Sequence, residues 1–167
     1  MTLSVAVQFV SKDKHLPVRW QVRRWALAAN RGVGEVTVRY VDEKEGRTLN
    51  RDFRGKDYAT NVLTFVHECS PPPDCNHPHP SPSPSPLPLA GEGTNYAADI
   101  VICAPVVARE AREQKKAVAD HHGHMVVHGM LHAQGFDHDN DEDAAAMEVI
   151  EIAVLKRFRI KNPYEVA

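Results

Sequence analysis

The sequence predicts an α+β domain in which a small mixed four-stranded sheet packs with about five helices. Segments rich in β-branched residues and stretches of helical periodicity follow one another in the order β-α-β-α-β-β-α-α-α. Hydrophobic residues make up 43% of the 167 positions, which is enough to bury one core over that length. Helices gathered after the last strands are typical of the α+β class.

Four short segments have the composition of β-strands. The first is rich in β-branched residues, and the second alternates apolar and polar side chains as a half-buried strand does. The last two segments are again rich in valine, isoleucine or threonine. The predicted strands are residues 3–10, 35–41, 60–66 and 98–104.

Periodicity and end signals predict the helices. Pro17 and Pro105 suit first helical positions, and Asp42 begins a sequence that resembles a capping box. We expect Asp120 to cap the fourth helix and Gly135 to end it in a left-handed conformation. The predicted helices are residues 17–30, 42–53, 105–118 and 120–134, with a last one from about residue 141.

The composition narrows the expected location and partners. No apolar run approaches the length of a membrane helix, and the first residues lack the basic region of a secretory signal, so we expect no membrane association. Three cysteines without a CxxC pair fit a reducing compartment, and we predict a cytoplasmic protein. The net charge is −2, so nucleic-acid binding must come from local basic patches such as residues 51–56.

Residues 70–93 differ in composition from the rest of the chain. Prolines dominate them and large apolar residues are scarce, so the stretch cannot bury enough surface to offset its ordering entropy. The nearby Cys69, Cys75, His77 and His79 match no zinc-ligand spacing. We therefore predict one domain over residues 1–167 that carries a disordered insertion at residues 70–93.

The stretch HGMLHAQGFDH holds three histidines and predicts a metal site. His128 and His132 are four residues apart, so both side chains lie on one face of a helix. Gly135 allows a sharp turn that leads His138 back toward the same ion. Three protein ligands leave a fourth position open, as in catalytic zinc sites. We predict that one Zn²⁺ per chain binds to His128, His132 and His138.

Three further histidines precede these on the same predicted helix. His124 and His132 are separated by about 12 Å along a straight helix, which is too far for both to bind one ion. We expect His124 to contact a ligand histidine or the substrate. We expect His121 and His122 to be exposed.

The spacing HxxxHxxGxxH is also that of the metzincin proteases, whose motif places a glutamate directly after the first histidine. That glutamate is the general base that activates the zinc-bound water. Gly129 occupies the position here and carries no carboxylate. Peptide hydrolysis by that route would therefore lack its base.

Three segments resemble the YbeY family, bacterial metal-dependent endoribonucleases that process ribosomal RNA. HGMLHAQGFDH is similar to the family signature HGxLHLxGYDH, and FRGKDYATNVLTF is similar to its upstream R-x-K-D-x-x-T-N-V-L-S-F motif. ADIVICAPVV resembles a third segment of the family. Ala98, Ala133 and Phe136 replace the more usual Gly, Leu and Tyr, and none of them is a predicted ligand.

The resemblance implies zinc on the three histidines and a functional, catalytic role for Arg54. A guanidinium can stabilise the negative charge that develops on a cleaved phosphodiester, which agrees with this role. Arg54 could instead form a structural salt bridge. Asp137 could orient a ligand histidine through a hydrogen bond.

The resemblance also implies a biological role. We predict a zinc-dependent endoribonuclease that cleaves single-stranded RNA in 16S ribosomal RNA 3′-end maturation and ribosome quality control. The expected partners are ribosomal RNA and the small ribosomal subunit, and we expect no DNA binding. One alternative is a metal-dependent hydrolase of another class, such as a metzincin-like protease with its base supplied elsewhere. The other is a ribosome-associated zinc protein without catalysis. An open fourth coordination position would favour an enzyme, and a fourth protein ligand would favour the structural role.

Overall fold

The computed structural model describes residues 2–67 and 95–165. Within these ranges the chain forms four strands and five helices in the predicted order. The predicted insertion at residues 70–93 lies outside the described residues and stays a prediction. Cys69, Cys75, His77 and His79 lie outside them as well. The elements are β1 (Leu3–Phe9), α1 (Arg19–Ala29), β2 (Val33–Val41), α2 (Glu43–Arg54), β3 (Val62–His67), β4 (Asn95–Cys103), α3 (Ala104–Glu113), α4 (Val118–Ala133) and α5 (Asp141–Lys156).

The sheet is mixed and has the strand order β1-β2-β4-β3. β1, β2 and β4 run parallel, with Val7 opposite Val38 and Val38 opposite Ile100. β3 runs antiparallel to β4, where Thr64 is paired with Ile100, and it forms one edge of the sheet. The α+β architecture predicted from the sequence is therefore confirmed.

The main core lies between the sheet and α4, which contacts β3, β4, α1, α3 and α5. The helix lies very close to the sheet, because a Cβ added at Gly129 would lie 2.6 Å from Cγ2 of Ile100. The fully buried side chains of this interface come from both elements: Val36, Val38, Tyr40, Ile100, Ile102, Val126, Met130 and Leu131.

A second, smaller core lies on the opposite face of the sheet. Along β4, Ile100 and Ile102 belong to the main core, whereas Val101 and Cys103 belong to the smaller one. This alternation follows from the two-residue period of a strand. Leu49 packs against the smaller core, so α2 covers the face of the sheet opposite α4.

The helix ends agree in part with the prediction. The side chain of Asp42 accepts a hydrogen bond from the backbone N–H of Glu45, and Gly135 has a φ of 89°, as expected. Asp120 was predicted wrongly, because α4 begins at Val118 and places it in the first turn. The helix predicted to reach residue 118 ends at Glu113.

The early end of α3 has a local cause. Lys115 adopts a left-handed conformation with a φ of 55°, and the N–H of Lys116 donates to the carbonyl oxygen of Ala111 at 2.8 Å. This geometry is a common helix stop. None of the described helices combines the length and apolar character that a bilayer-spanning segment requires.

Candidate metal centre

The three predicted ligand histidines converge at the C-terminal end of α4. One ligand nitrogen of each of His128, His132 and His138 lies within 4.8 Å of the others. The Nε2 atoms of His128 and His132 are 3.1 Å apart. The ring of His138 lies 5.0 Å from that of His132 between centroids. The structure thus brings together residues that the sequence places at i, i+4 and i+10.

The turn after α4 produces this convergence. The N–H of Gly135 donates to the carbonyl oxygen of His132 at 3.0 Å, and that of Phe136 donates to Leu131 at 3.1 Å. These bonds close the last turn of the helix, and the positive φ of Gly135 reverses the chain. His138 follows three residues later and returns beside the helix end.

A buried carboxylate from α5 contacts the centre. Glu151 is fully buried, and its Oε1 lies 2.7 Å from Nδ1 of His128. Its Oε2 lies 3.5 Å from Nε2 of His124 and also accepts a hydrogen bond from the hydroxyl of Tyr164. Burial alone would raise the pKa of Glu151, but the bonds from His124 and His128 lower it to about 2.

Sequence reasoning missed Glu151 and named Asp137 as the carboxylate that could orient a ligand histidine. In the structure Oδ1 of Asp137 accepts from the backbone N–H of His138 at 2.8 Å, whereas Glu151 contacts the ring of His128. The signal for Glu151 was available, because it lies four residues after Met147 and four before Leu155, both buried. A charged residue on the buried stripe of a helix has partners that offset its desolvation.

The expectation that His121 and His122 are exposed was wrong. They are 3% and 0% exposed, because α4 is covered by α1, α3 and α5 as well as by the sheet. Nε2 of His121 lies 2.9 Å from Oε2 of Glu110, and the ring of His122 packs edge-on against Tyr40. Burial lowers the pKa of His122 to about 4. His124, 9% exposed, reaches the centre through Glu151.

The histidines open onto a groove of about 720 Å³. The end of α2 and edge strand β3 form the opposite wall, so the groove runs past the edge of the sheet. Arg54, at the last position of α2, lines this groove together with the exposed Phe53. Arg54 makes no hydrogen bond or ion pair with the described residues, whereas Arg51 on the same helix contacts Asp52. The structural salt bridge considered for Arg54 is therefore not formed within the described chain.

The donor set fits a metal ion of the zinc type. Burial, and the neighbouring His128 and His138, lower the pKa of His132, which favours a neutral imidazole with a free lone pair. Two nitrogens that bind one tetrahedral zinc at about 2.0–2.1 Å are separated by about 3.3 Å, close to the 3.1 Å between the two Nε2 atoms. Imidazole suits zinc and related transition metals. A second group, His124, His128 and Glu151, also lies within 4.8 Å, but hydrogen bonds account for it.

The fold and the site define a class: α+β proteins with a three-histidine centre on a helix and its following turn, facing an arginine across one groove. Residues 12–159 match the family model described as Endoribonuclease YbeY. The chain belongs to the YbeY family, and this membership supports an RNA-cleaving role.

Individual relatives agree with the family match. The Endoribonuclease YbeY of Aromatoleum aromaticum is 49% identical over 89% of this chain and 81% of its own length. That of Thiobacillus denitrificans is 48% identical over 97% of this chain and 96% of its own. The solution structure of TM1509 from Thermotoga maritima superposes with a TM-score of 0.53, covering 96% of this chain and 99% of that one. At 23% identity this last likeness shows the fold alone.

Proposed function

We propose that this chain is a zinc-dependent endoribonuclease that cleaves single-stranded RNA. One observation carries the proposal: the three histidines and Arg54, without a partner in the described chain, line the same groove. We further propose that it acts in the cytoplasm on the 3′ end of 16S ribosomal RNA, with the small ribosomal subunit as partner, and in ribosome quality control. The family membership supports this biological role.

The residues of the groove have separate roles in this proposal. His128, His132 and His138 would hold the metal, which supplies Lewis acidity toward a phosphoryl oxygen when bound. Arg54 binds and orients the scissile phosphate and stabilises its developing negative charge, for which the planar guanidinium is suited. Arg54 has no hydrogen-bond or ion-pair partner among the described residues, and this supports the role because no contact there has to break before its donors bind a phosphate.

The opposite wall of the groove supports a preference for unpaired RNA. Phe53 is 66% exposed and lies 4.8 Å from Phe65 between ring centroids. Both rings line the groove beside Arg54. Exposed aromatic rings stack on bases, and only unpaired bases present their faces to a protein.

The two alternatives lack a supporting observation. In a metzincin-like protease a glutamate would replace Gly129, but an added Cβ there would lie against Ile100 of the sheet. For a purely structural zinc, a fourth protein ligand is expected. Among the described residues, the group around His132 contains three ligand-type side chains.

A cleavage assay tests the proposal. Zinc-loaded protein is incubated with a single-stranded RNA that spans the 3′ end of 16S ribosomal RNA, with the same RNA annealed to its complement, and with casein. We expect cleavage of the single strand, little cleavage of the duplex and none of casein. Hydrolysis of casein, or an intact single strand, would contradict the proposed function.

Arg54→Ala tests the catalytic assignment. Removing one electrostatic partner of a transition state costs about 2.7–4 kcal/mol, so we expect a rate loss of about 10²–10³ with folding and zinc content unchanged. Arg54→Lys keeps the charge without the planar fork and should recover part of the activity. Arg51→Ala, which removes an exposed arginine paired with Asp52, is the matched control. RNA cleavage by Arg54→Ala at the parental rate would exclude the role.

A further inference from the structure

Glu151 is a buried carboxylate, and other interactions in the fold must offset the free energy lost when it leaves water. It is fully buried in α5, between the core residues Met147 and Leu155. An ionised group in such a place is stable only when hydrogen bonds replace its water. Its partners are the side chains of His128, Tyr164 and His124. One of the three is a predicted metal ligand, so the carboxylate joins the core of the protein to the metal centre.

The hydrogen bonds at Glu151 determine which ring nitrogen of His128 carries a proton. A tyrosine hydroxyl has one hydrogen, and that of Tyr164 donates to Oε2 of Glu151. The other oxygen, Oε1, lies 2.7 Å from Nδ1 of His128 and accepts from it. A neutral imidazole with its hydrogen on Nδ1 has its lone pair on Nε2. That is the atom that lies 3.1 Å from Nε2 of His132.

The C-terminal segment after α5 is held where Tyr164 can reach Glu151. Arg159 has a φ of 61°, and the N–H of Ile160 donates to the carbonyl oxygen of Leu155, so the chain turns back at the helix end. Nζ of Lys116, in the turn between α3 and α4, donates to the carbonyl oxygen of Pro163 at 2.7 Å. Tyr164 therefore has a fixed approach to the carboxylate.

We propose that Glu151 and Tyr164 are positioning residues that fix the tautomer and the ring orientation of His128 and thereby set the metal affinity of the centre. The inference rests on the proposed metal site. Glu151 holds the Nδ1 hydrogen of His128 and keeps Nε2 directed at the ion, while Tyr164 holds the carboxylate. Glu151 contacts the ligand His128 directly, whereas Tyr164 is one hydrogen bond further from it. Substitution of Glu151 should therefore weaken metal binding more than substitution of Tyr164.

The same helix offers a matched control. Near the N-terminal end of α4, Nε2 of His121 lies 2.9 Å from Oε2 of Glu110, a carboxylate of α3. Both pairs thus join a histidine of α4 to a glutamate of a neighbouring helix. His121 is not a predicted ligand, so Glu110→Gln should affect folding without affecting the metal.

Zinc affinity measured by competition with a chelator tests the proposal without RNA. Loss of a carboxylate that orients a ligand histidine weakens metal binding by about 10–100-fold, which we expect for Glu151→Gln. Tyr164→Phe should weaken zinc binding less, and Glu110→Gln should leave it near the parental value. Long-range ¹H–¹⁵N spectra of the metal-free chain should show His128 in one tautomer, and in Glu151→Gln a mixture of both. Melting temperatures separate these effects from folding.

The outcomes distinguish this inference from the proposed function. Parental zinc affinity in Glu151→Gln with an unchanged His128 tautomer would overturn the positioning role. Equal loss of zinc affinity in Glu110→Gln and Glu151→Gln would overturn it as well, because folding would then be the cause. If Glu151→Gln does not fold, Tyr164→Phe decides by the same two readouts. Zinc binding that depends on Glu151 in a chain that leaves RNA intact would contradict the proposed function and support the positioning role.

Discussion

Both ends of α4 carry histidines, but the histidines near the N-terminal end are buried in the fold and those at the C-terminal end face a groove. Near the N-terminal end, His121 and His122 are buried, one beside Glu110 and the other against Tyr40. At the C-terminal end, His132 faces a groove that also holds Arg54. A histidine ladder along one helix therefore does not define a metal site.

The neighbours of each end explain the difference. In the N-terminal half, Glu110 of α3 contacts His121, and Trp25 of α1 and Ile160 would meet a Cβ added at Gly123. The C-terminal half lies beside the edge strand β3 and the end of α2, which leave the groove between them. Burial lowers the pKa of His122 near one end and of His132 near the other. The groove beside His132, at about 720 Å³, is larger than the cavity of about 310 Å³ that His121 and His124 line, and Arg54 lines the groove as well.

Removal of one histidine from each half of α4 should give the largest difference between the two halves, measured as zinc content. His132→Ala deletes one of three imidazoles, and we expect the zinc content to fall from about one per chain to near zero. His124→Ala should retain most of the metal while lowering the melting temperature, because it leaves a cavity in the core. Elemental analysis of both variants gives the answer. Equal loss of zinc from the two would mean that the ligand set is assigned wrongly.

His122, near the N-terminal end of α4, should account for most of the stability that the metal-free chain loses as the pH falls. Burial lowers the pKa of His122 from 6.5 to about 4, so the unfolded chain binds a proton there that the folded chain does not. The stability from neutral His122 is complete above pH 6.5 and is lost as the pH falls toward 4. Between pH 7 and 5 the loss is on the order of 2 kcal/mol.

His122→Phe keeps a ring against Tyr40 and removes the titration. Urea unfolding at both pH values, with a chelator present, should show a smaller pH effect in this variant than in the parental chain. Equal pH effects in the two proteins would show that other groups govern acid unfolding.

Alanine substitutions at two glycines of α4 should give the smallest difference between its halves, measured as stability in urea. A Cβ at Gly129 would lie 2.6 Å from Cγ2 of Ile100, a β-branched side chain on a central strand. Overpacking of this kind costs about 1–3 kcal/mol, and the better helix propensity of alanine returns up to about 1 kcal/mol. We expect Gly129→Ala to be destabilised in urea unfolding.

At Gly123 the added methyl group of alanine would contact a side chain that can move more easily. The nearest atom is the terminal Cδ1 of the half-buried Ile160, at 2.8 Å, followed by the ring of Trp25 at 3.1 Å. The change should therefore be close to neutral in the same experiment. A larger loss in Gly123→Ala than in Gly129→Ala would show that the helix is held more tightly at its buried N-terminal half.

The sequence by itself determined the order of strands and helices and the three converging histidines. These features depend on local rules: a two-residue period for strands, a four-residue spacing on a helix face, and a glycine that turns the chain. The capping of α2 by Asp42 and the left-handed Gly135 follow from the same local chemistry. Local rules act over a few residues, and the printed sequence contains all the information they need.

Only the tertiary structure decided which polar residues meet. Glu151 reaches His128 across 23 residues of chain, and no local spacing indicates that contact. The burial of His121 and His122 depends on three helices that cover α4 from other parts of the chain. Arg54 lines the groove because α2 ends beside the same edge strand as α4. Packing joins segments that are distant in sequence, and the energy of a buried charge depends on which groups packing brings to it.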